Sequence, residues 1–201
     1  TSPLIGDAAF LRGIILEDEG QLEDAFKEFP LVAQKYPDSE FAEEALFKSG
    51  ETLTALGRMD EAGELFEQFA RQYPDSPLAE QAVLRVGDAD FFAAAFGDAV
   101  ERYQRILETN PEPVIERETL YRLAITYHNM QDYEASVATF RIILEKYPEA
   151  HPAEAHMRIA DHLLRDTSNA VEAIAAYQAA YNAAPTGPYA GPALRGMALA
   201  R

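Results

Sequence analysis

Apolar residues recur at helical spacing along most of the chain, and proline interrupts them at regular intervals. Between two interruptions, Phe41, Ala45, Leu46 and Leu53 fall on one helical face; Gly57 breaks the run, and Ala62, Leu65, Phe66 and Phe69 resume it. Gly20 stands at the matching break one segment earlier. Each segment predicts two antiparallel helices joined by a tight turn at the glycine.

The segments are copies. Proline falls at 37, 74, 111, 148 and 185, each a multiple of 37. Proline is disfavoured inside a helix and common just past its end, so these five mark equivalent helix stops. Other columns keep the same register. One holds small residues, Ala25, Ala62, Ala99, Ser136 and Ala173; another is aromatic, Phe29, Phe66, Tyr103, Phe140 and Tyr177. A third reads Gly13, Gly50, Gly87, Ala124, then Asp161 and Ala198. Such alignment is an internal repeat. The four residues "YPDS" at 36–39 and again at 73–76 form the joint between units, and Ser76-Pro77 reads as an N-cap followed by proline at the first helical position.

A single hairpin of this length cannot enclose its own apolar face. Stacked hairpins share it: the small column lets helices approach, and the aromatic column fills the space between them. The predicted architecture is all-α, an α-α superhelix (solenoid) of tandem hairpins in one domain over 1–201. Its units are 4–39, 40–76, 77–113, 114–150, 151–187 and a partial sixth, 188–201. Two residues depart from the pattern: Asp161 in a small column, and Pro30 inside a helix, where a kink near Phe29-Pro30 is expected. The short sixth unit, "GPALRGMALAR", points to a fragment of a longer protein or to an edge that docks something.

Composition narrows the function classes. Net charge is −17, which repels nucleic-acid backbones and anionic membrane surfaces as main partners. The acidity lies toward the N-terminal half, and charges cancel over 151–201. It serves either solubility or a polarised binding surface. No cysteine is present, so disulfide scaffolds and thiolate metal sites are excluded without fixing a compartment. The uncharged stretch 173–194 carries Pro185, Pro188 and Pro192 and is too polar and broken to span a membrane. No signal peptide is visible, and a start at Thr1 suggests a mature or trimmed product.

Small, glycine, aromatic and proline columns in a helix–turn–helix unit resemble the tetratricopeptide repeat (TPR), whose usual period is about 34 residues. The longer joint, "YPDS" leading into "AEEAL", looks like that of periplasmic TPR proteins of Gram-negative bacteria, such as the Tol–Pal-associated TPR protein and the lipoprotein of the outer-membrane β-barrel assembly machine. The resemblance implies a non-enzymatic scaffold or adaptor that holds a partner peptide or helix in a concave groove lined by the first helices. It implies a place in a bacterial cell-envelope complex, periplasmic or envelope-associated, and otherwise a cytoplasmic one. The alternative is a structural or self-associating segment of a larger protein, joined through its C-terminal edge.

Carried over by register, the groove columns are Phe10, Phe47, Leu84, Tyr121 and Arg158; Glu51, Asp88 and His162; and Phe91, His128 and Arg165. The N-terminal and middle groove would be apolar with carboxylates, and the C-terminal groove basic. Phe47, Leu84 and Tyr121 could equally pack between units. The TPR clamp for a C-terminal carboxylate uses Lys and Asn at columns that here hold Phe, Leu, Glu and Asp, which disfavours a chaperone-tail ligand. His128, His151, His156 and His162 lack metal-ligand spacing, and no phosphate loop or nucleophile elbow is visible, so no metal, cofactor or catalytic residue is expected.

Overall fold

The computed structural model describes residues 3–109, 111–165 and 167–201. Among them are eleven α-helices, one 3-10 turn and no strand. The chain divides into two compact units. The first, Thr1–Pro111, contains three hairpins: α1 (Pro3–Asp18) with α2 (Leu22–Lys35), α3 (Ala42–Ala55) with α4 (Met59–Gln72), and α5 (Ala79–Phe92) with α6 (Phe96–Glu108). The second, Glu112–Arg201, contains α7 (Pro113–Asn129) with α8 (Tyr133–Lys146), α9 (Pro152–Leu163) with α10 (Ala170–Ala183), and α11 (Ala190–Leu199). Within each unit every helix packs on the one before it in sequence. This is the all-α helical repeat that the periodicity predicts. Residues Thr1, Ser2, Asn110 and Asp166 lie outside the described set, so the joint "NPEP" is seen only from Pro111 onward.

The helices stop where the prolines predict. Tyr36, Tyr73 and Tyr147 are C-caps whose N–H still bonds back to Val32, Phe69 and Ile143 at 2.9, 2.8 and 2.7 Å; the next residue is the proline. The turns inside the hairpins repeat as well. Gly20 and Gly57 take φ of +75° and +76°, and the register places Ala94 and Gln131 at the same site with φ of 59° and 63°. Glycine adopts this left-handed conformation without penalty, whereas a Cβ costs about 1–2 kcal/mol. The fifth hairpin turns instead through a 3-10 turn, Thr167–Asn169.

One joint differs from expectation. Ser76 is not the N-cap: α5 opens at Ala79 with Leu78 as its N-cap, and Pro77 lies in the preceding turn. The reason is the use made of the hydroxyl. Ser76 Oγ accepts from the Leu78 N–H at 3.0 Å and donates to Glu43 Oε1. Ser39 behaves alike, accepting from the Phe41 N–H at 3.2 Å and donating to Asp7 Oδ1 at 2.6 Å. Both carboxylates stand near the start of the same hairpin that the serine ends. Elsewhere, α2 continues as a helix through Pro30 to Lys35.

The core follows the columns. Ala25, Ala62, Ala99 and Ala173 are fully buried, as are Phe29, Phe66, Tyr103, Phe140 and Tyr177. The third column is small because aromatic rings lie against it: a Cβ on Gly13, Gly50 or Gly87 would come within 2.6, 2.7 and 2.5 Å of Phe29, Phe66 and Tyr103. Asp161 is accommodated because Tyr177 donates its hydroxyl to Asp161 Oδ1 at 2.8 Å. The Tyr177 ring then reaches α11, where a Cβ on Gly196 would come within 2.3 Å of it.

Candidate functional site

The groove columns separate into core and surface. Phe10 stacks on Phe41 with centroids 4.6 Å apart, Phe47 meets Phe66 and Phe69 edge-on at 5.2 and 5.3 Å, and Leu84 is enclosed. Their exposures are 4%, 4% and 1%, so they shape the floor between helices rather than offer a face to a ligand. Phe91 is half-buried against Phe92 and Phe96. Asp88 accepts from the Tyr103 hydroxyl at 3.0 Å and pairs with Arg85 at 3.2 Å.

Glu51 is half-buried and pairs at 3.2 Å with Lys48, which also reaches Glu17 at 3.1 Å. It borders a cleft of about 460 Å³ in the first unit, lined by Glu40, Glu43, Glu44, Lys48 and Leu78, with Phe47 beneath. Four carboxylates against one ammonium make this cleft acidic. A larger hollow, about 590 Å³, lies at the hairpin turns around Arg58 and Phe92, and none of the groove columns lines it.

The second unit gathers the remaining residues into one place. His128 from α7, Tyr133, Ser136 and Val137 from α8, Arg158, Asp161 and His162 from α9, and Arg165 just beyond it line a hollow of about 260 Å³. Arg158 Nη1 lies 2.9 Å from His128 Nε2, and Arg158 Nη2 donates to Glu154 Oε1 at 3.1 Å. A guanidinium can only donate, so His128 Nε2 must accept, and the imidazole is neutral with its proton on Nδ1. Burial, reinforced by the Arg158 charge, pulls the His128 pKa below its ordinary value. Arg165 lies with its guanidinium carbon 3.7 Å from the centre of the Tyr133 ring, a cation–π contact, and His128 meets the same ring edge-on at 5.3 Å.

Glu154 anchors this arrangement. Its other oxygen accepts from the Tyr121 hydroxyl at 3.0 Å, and the nearby Tyr189 has its pKa raised by burial and then by the Glu154 charge. Tyr121 is stacked on His151, centroids 4.0 Å apart, and burial followed by the Glu154 charge pushes its pKa up to about 12. Glu154, Lys48 and Tyr133 were not among the groove columns. Glu154 is legible as the residue four before Arg158, an ion-pair spacing on one helical face; Tyr133 belongs to a second helix, where a first-helix register does not look. Among the described residues no group of three or more His, Cys, Asp or Glu is placed to hold a metal, and no helix is long and apolar enough to cross a membrane.

Comparison with known proteins agrees with this architecture. Models described as tetratricopeptide repeat match residues 44–76 and 121–188. No curated protein matches the chain in sequence. Among solved structures, a tetratricopeptide repeat protein from Parabacteroides merdae superposes with a TM-score of 0.75 at 17% identity, over 96% of this chain and 74% of that one. MamA from Desulfovibrio magneticus (residues 41 to the end) gives 0.73 at 15% identity, over 91% and 97%. The Cut9–Hcn1 complex of APC/C gives 0.65 at 18% identity, covering 94% of this chain and 35% of that one. At these identities the structures share the fold, and the matches carry the repeat family without its envelope subgroup. With its 37-residue register and its stacked hairpins, the chain belongs to the tetratricopeptide-repeat proteins.

Proposed function

We propose that the chain is a non-enzymatic scaffold that holds a protein partner, as an extended peptide or a helix, along the face lined by its first helices. The observation that carries this reading is that, in each unit taken by itself, first helices wall a polar hollow. In the first unit the cleft is acidic over an apolar floor; in the second the hollow presents Arg158 and Arg165. Apolar and basic residues of a partner complement the first-unit cleft, and a carboxylate complements the second-unit hollow. The hollows are held by packed hairpins, so little of the binding energy is consumed in ordering them.

A photo-reactive residue placed at Glu51 or at Arg165 should cross-link one common protein in cells that express the full-length gene. The same residue at Glu64, exposed on the second helix α4, should not. Equal labelling from all three positions would remove the groove from the proposal. The "YPDS"–"AEEAL" joint supports a site of action in a bacterial envelope complex, and cell fractionation of the full-length product tests it. A second reading, self-association through the C-terminal edge, draws on Val171, Leu194 and Leu199, which are exposed at 82%, 50% and 78%. Sedimentation at high micromolar concentration decides that reading, which requires a dimer that Val171→Glu with Leu199→Glu disperses.

A further inference from the structure

The hollow in the second unit contains two nitrogens with nothing to bond. Arg158 Nε and His162 Nδ1 are buried and have no hydrogen-bond partner. They belong to residues four apart on α9, hence on one face, and both residues line the hollow. Buried polar groups are normally paired, so this wall of the hollow carries hydrogen-bonding capacity that the described residues leave unused.

The charges say what would complete it. His128 is faced by Tyr133 from α8, by Glu154, Arg158, Asp161 and His162 from α9, and by Arg165 beyond α9. Glu154 is already engaged by Tyr121 and Arg158, and Asp161 by Tyr177. Arg165 rests on the Tyr133 ring with no carboxylate partner among the described residues. Two guanidinium groups thus balance two carboxylates while His128 is neutral. One more negative charge unbalances the site, and one proton on His128 restores it.

We infer that this hollow receives a carboxylate, held between Arg158 and Arg165 beside His162, and that a proton enters His128 together with it. Protonated His128 can no longer accept from Arg158 Nη1, so that N–H turns to the incoming oxygen. Without the anion, burial and Arg158 keep the proton off at neutral pH. The carboxylate is an acidic side chain of the partner, an assignment that rests on the groove reading above.

The test follows the imidazole by NMR, with the His128 resonance identified by its loss in His128→Gln. Titration from about pH 8 down to about pH 5 is run in chloride and in glutarate at equal ionic strength. Glutarate is expected to raise the His128 midpoint by about half a unit or more. Arg165→Gln, at an exposed position, should abolish the rise while the protein still unfolds in one cooperative transition. An identical midpoint in both salts, or a rise that persists in Arg165→Gln, overturns the inference. A rise with inorganic phosphate but none with glutarate also overturns it, since the site would then select phosphate. Because glutarate is free in solution, this outcome is independent of the cross-linking that tests the groove itself.

Discussion

At the residue scale, the turn column shows what a periodic sequence reveals and what it conceals. Gly20 and Gly57 announce their turns, but Ala94 and Gln131 occupy the same left-handed site without any local signal. Only the register identifies them, because alanine and glutamine have no turn preference of their own. Replacing either by glycine removes the Cβ penalty and increases unfolded-state entropy, which partly offsets it. Ala94→Gly and Gln131→Gly should each stabilise the protein by about 0.5–1 kcal/mol in urea unfolding. The reverse holds at Gly50, whose small size the Phe66 ring dictates. Gly50→Ala would press a methyl against a ring that is itself enclosed, and should cost about 1–3 kcal/mol. Phe10, Phe47 and Leu84 mark the limit of such reading. An apolar residue on a first helix can point into the groove or between helices, and periodicity alone does not separate these when the apolar arc is wide.

At the element scale, helices and stops were legible because proline and glycine act locally, whereas the use of the joint serines depends on a carboxylate more than thirty residues away. The fourth hairpin uses a different pair: Glu116 on α7 accepts from Tyr147 and pairs with Lys146 at 2.5 Å. Those partners hold the Glu116 carboxyl below the usual carboxylate range. A depressed carboxylate contributes stability above its unfolded pKa, near 4.3, and loses it as pH falls through the folded value. Glu116→Gln should therefore flatten the acid side of the stability profile, as followed by urea midpoints against pH. Histidine acts in the same direction here. His128 on α7 and His156 on α9 both have pKa values lowered by burial, so they favour folding above about pH 6.5 and oppose it below. His156→Gln should reduce the loss of stability between about pH 7 and pH 5.

At the scale of the molecule, the charge of −17 is carried by a chain whose core consists of small and aromatic columns with few buried ionic groups. Self-repulsion among surface carboxylates opposes the folded state and is screened by salt. Raising sodium chloride from about 0.02 M to about 0.5 M should raise the melting temperature by scanning calorimetry. A fall would mean that the surface ion pairs outweigh the repulsion. The same charge would lower the on-rate of an acidic partner and raise that of one presenting lysine or arginine to the first-unit cleft.

Ser39 bonded to Asp7, Ser76 to Glu43 and Tyr147 to Glu116 share one topology: the end of a hairpin is latched to its own beginning. That makes each of these three hairpins a closed cassette with a defined seam. A hairpin copied or grafted between hosts from the early carboxylate through to its serine or tyrosine brings its latch with it. One cut at the proline leaves the serine behind and a carboxylate with no hydroxyl to receive. In the fifth hairpin Glu154 occupies the latch position but is turned toward Tyr121 and Arg158, so this cassette cannot be exchanged without dismantling the pocket.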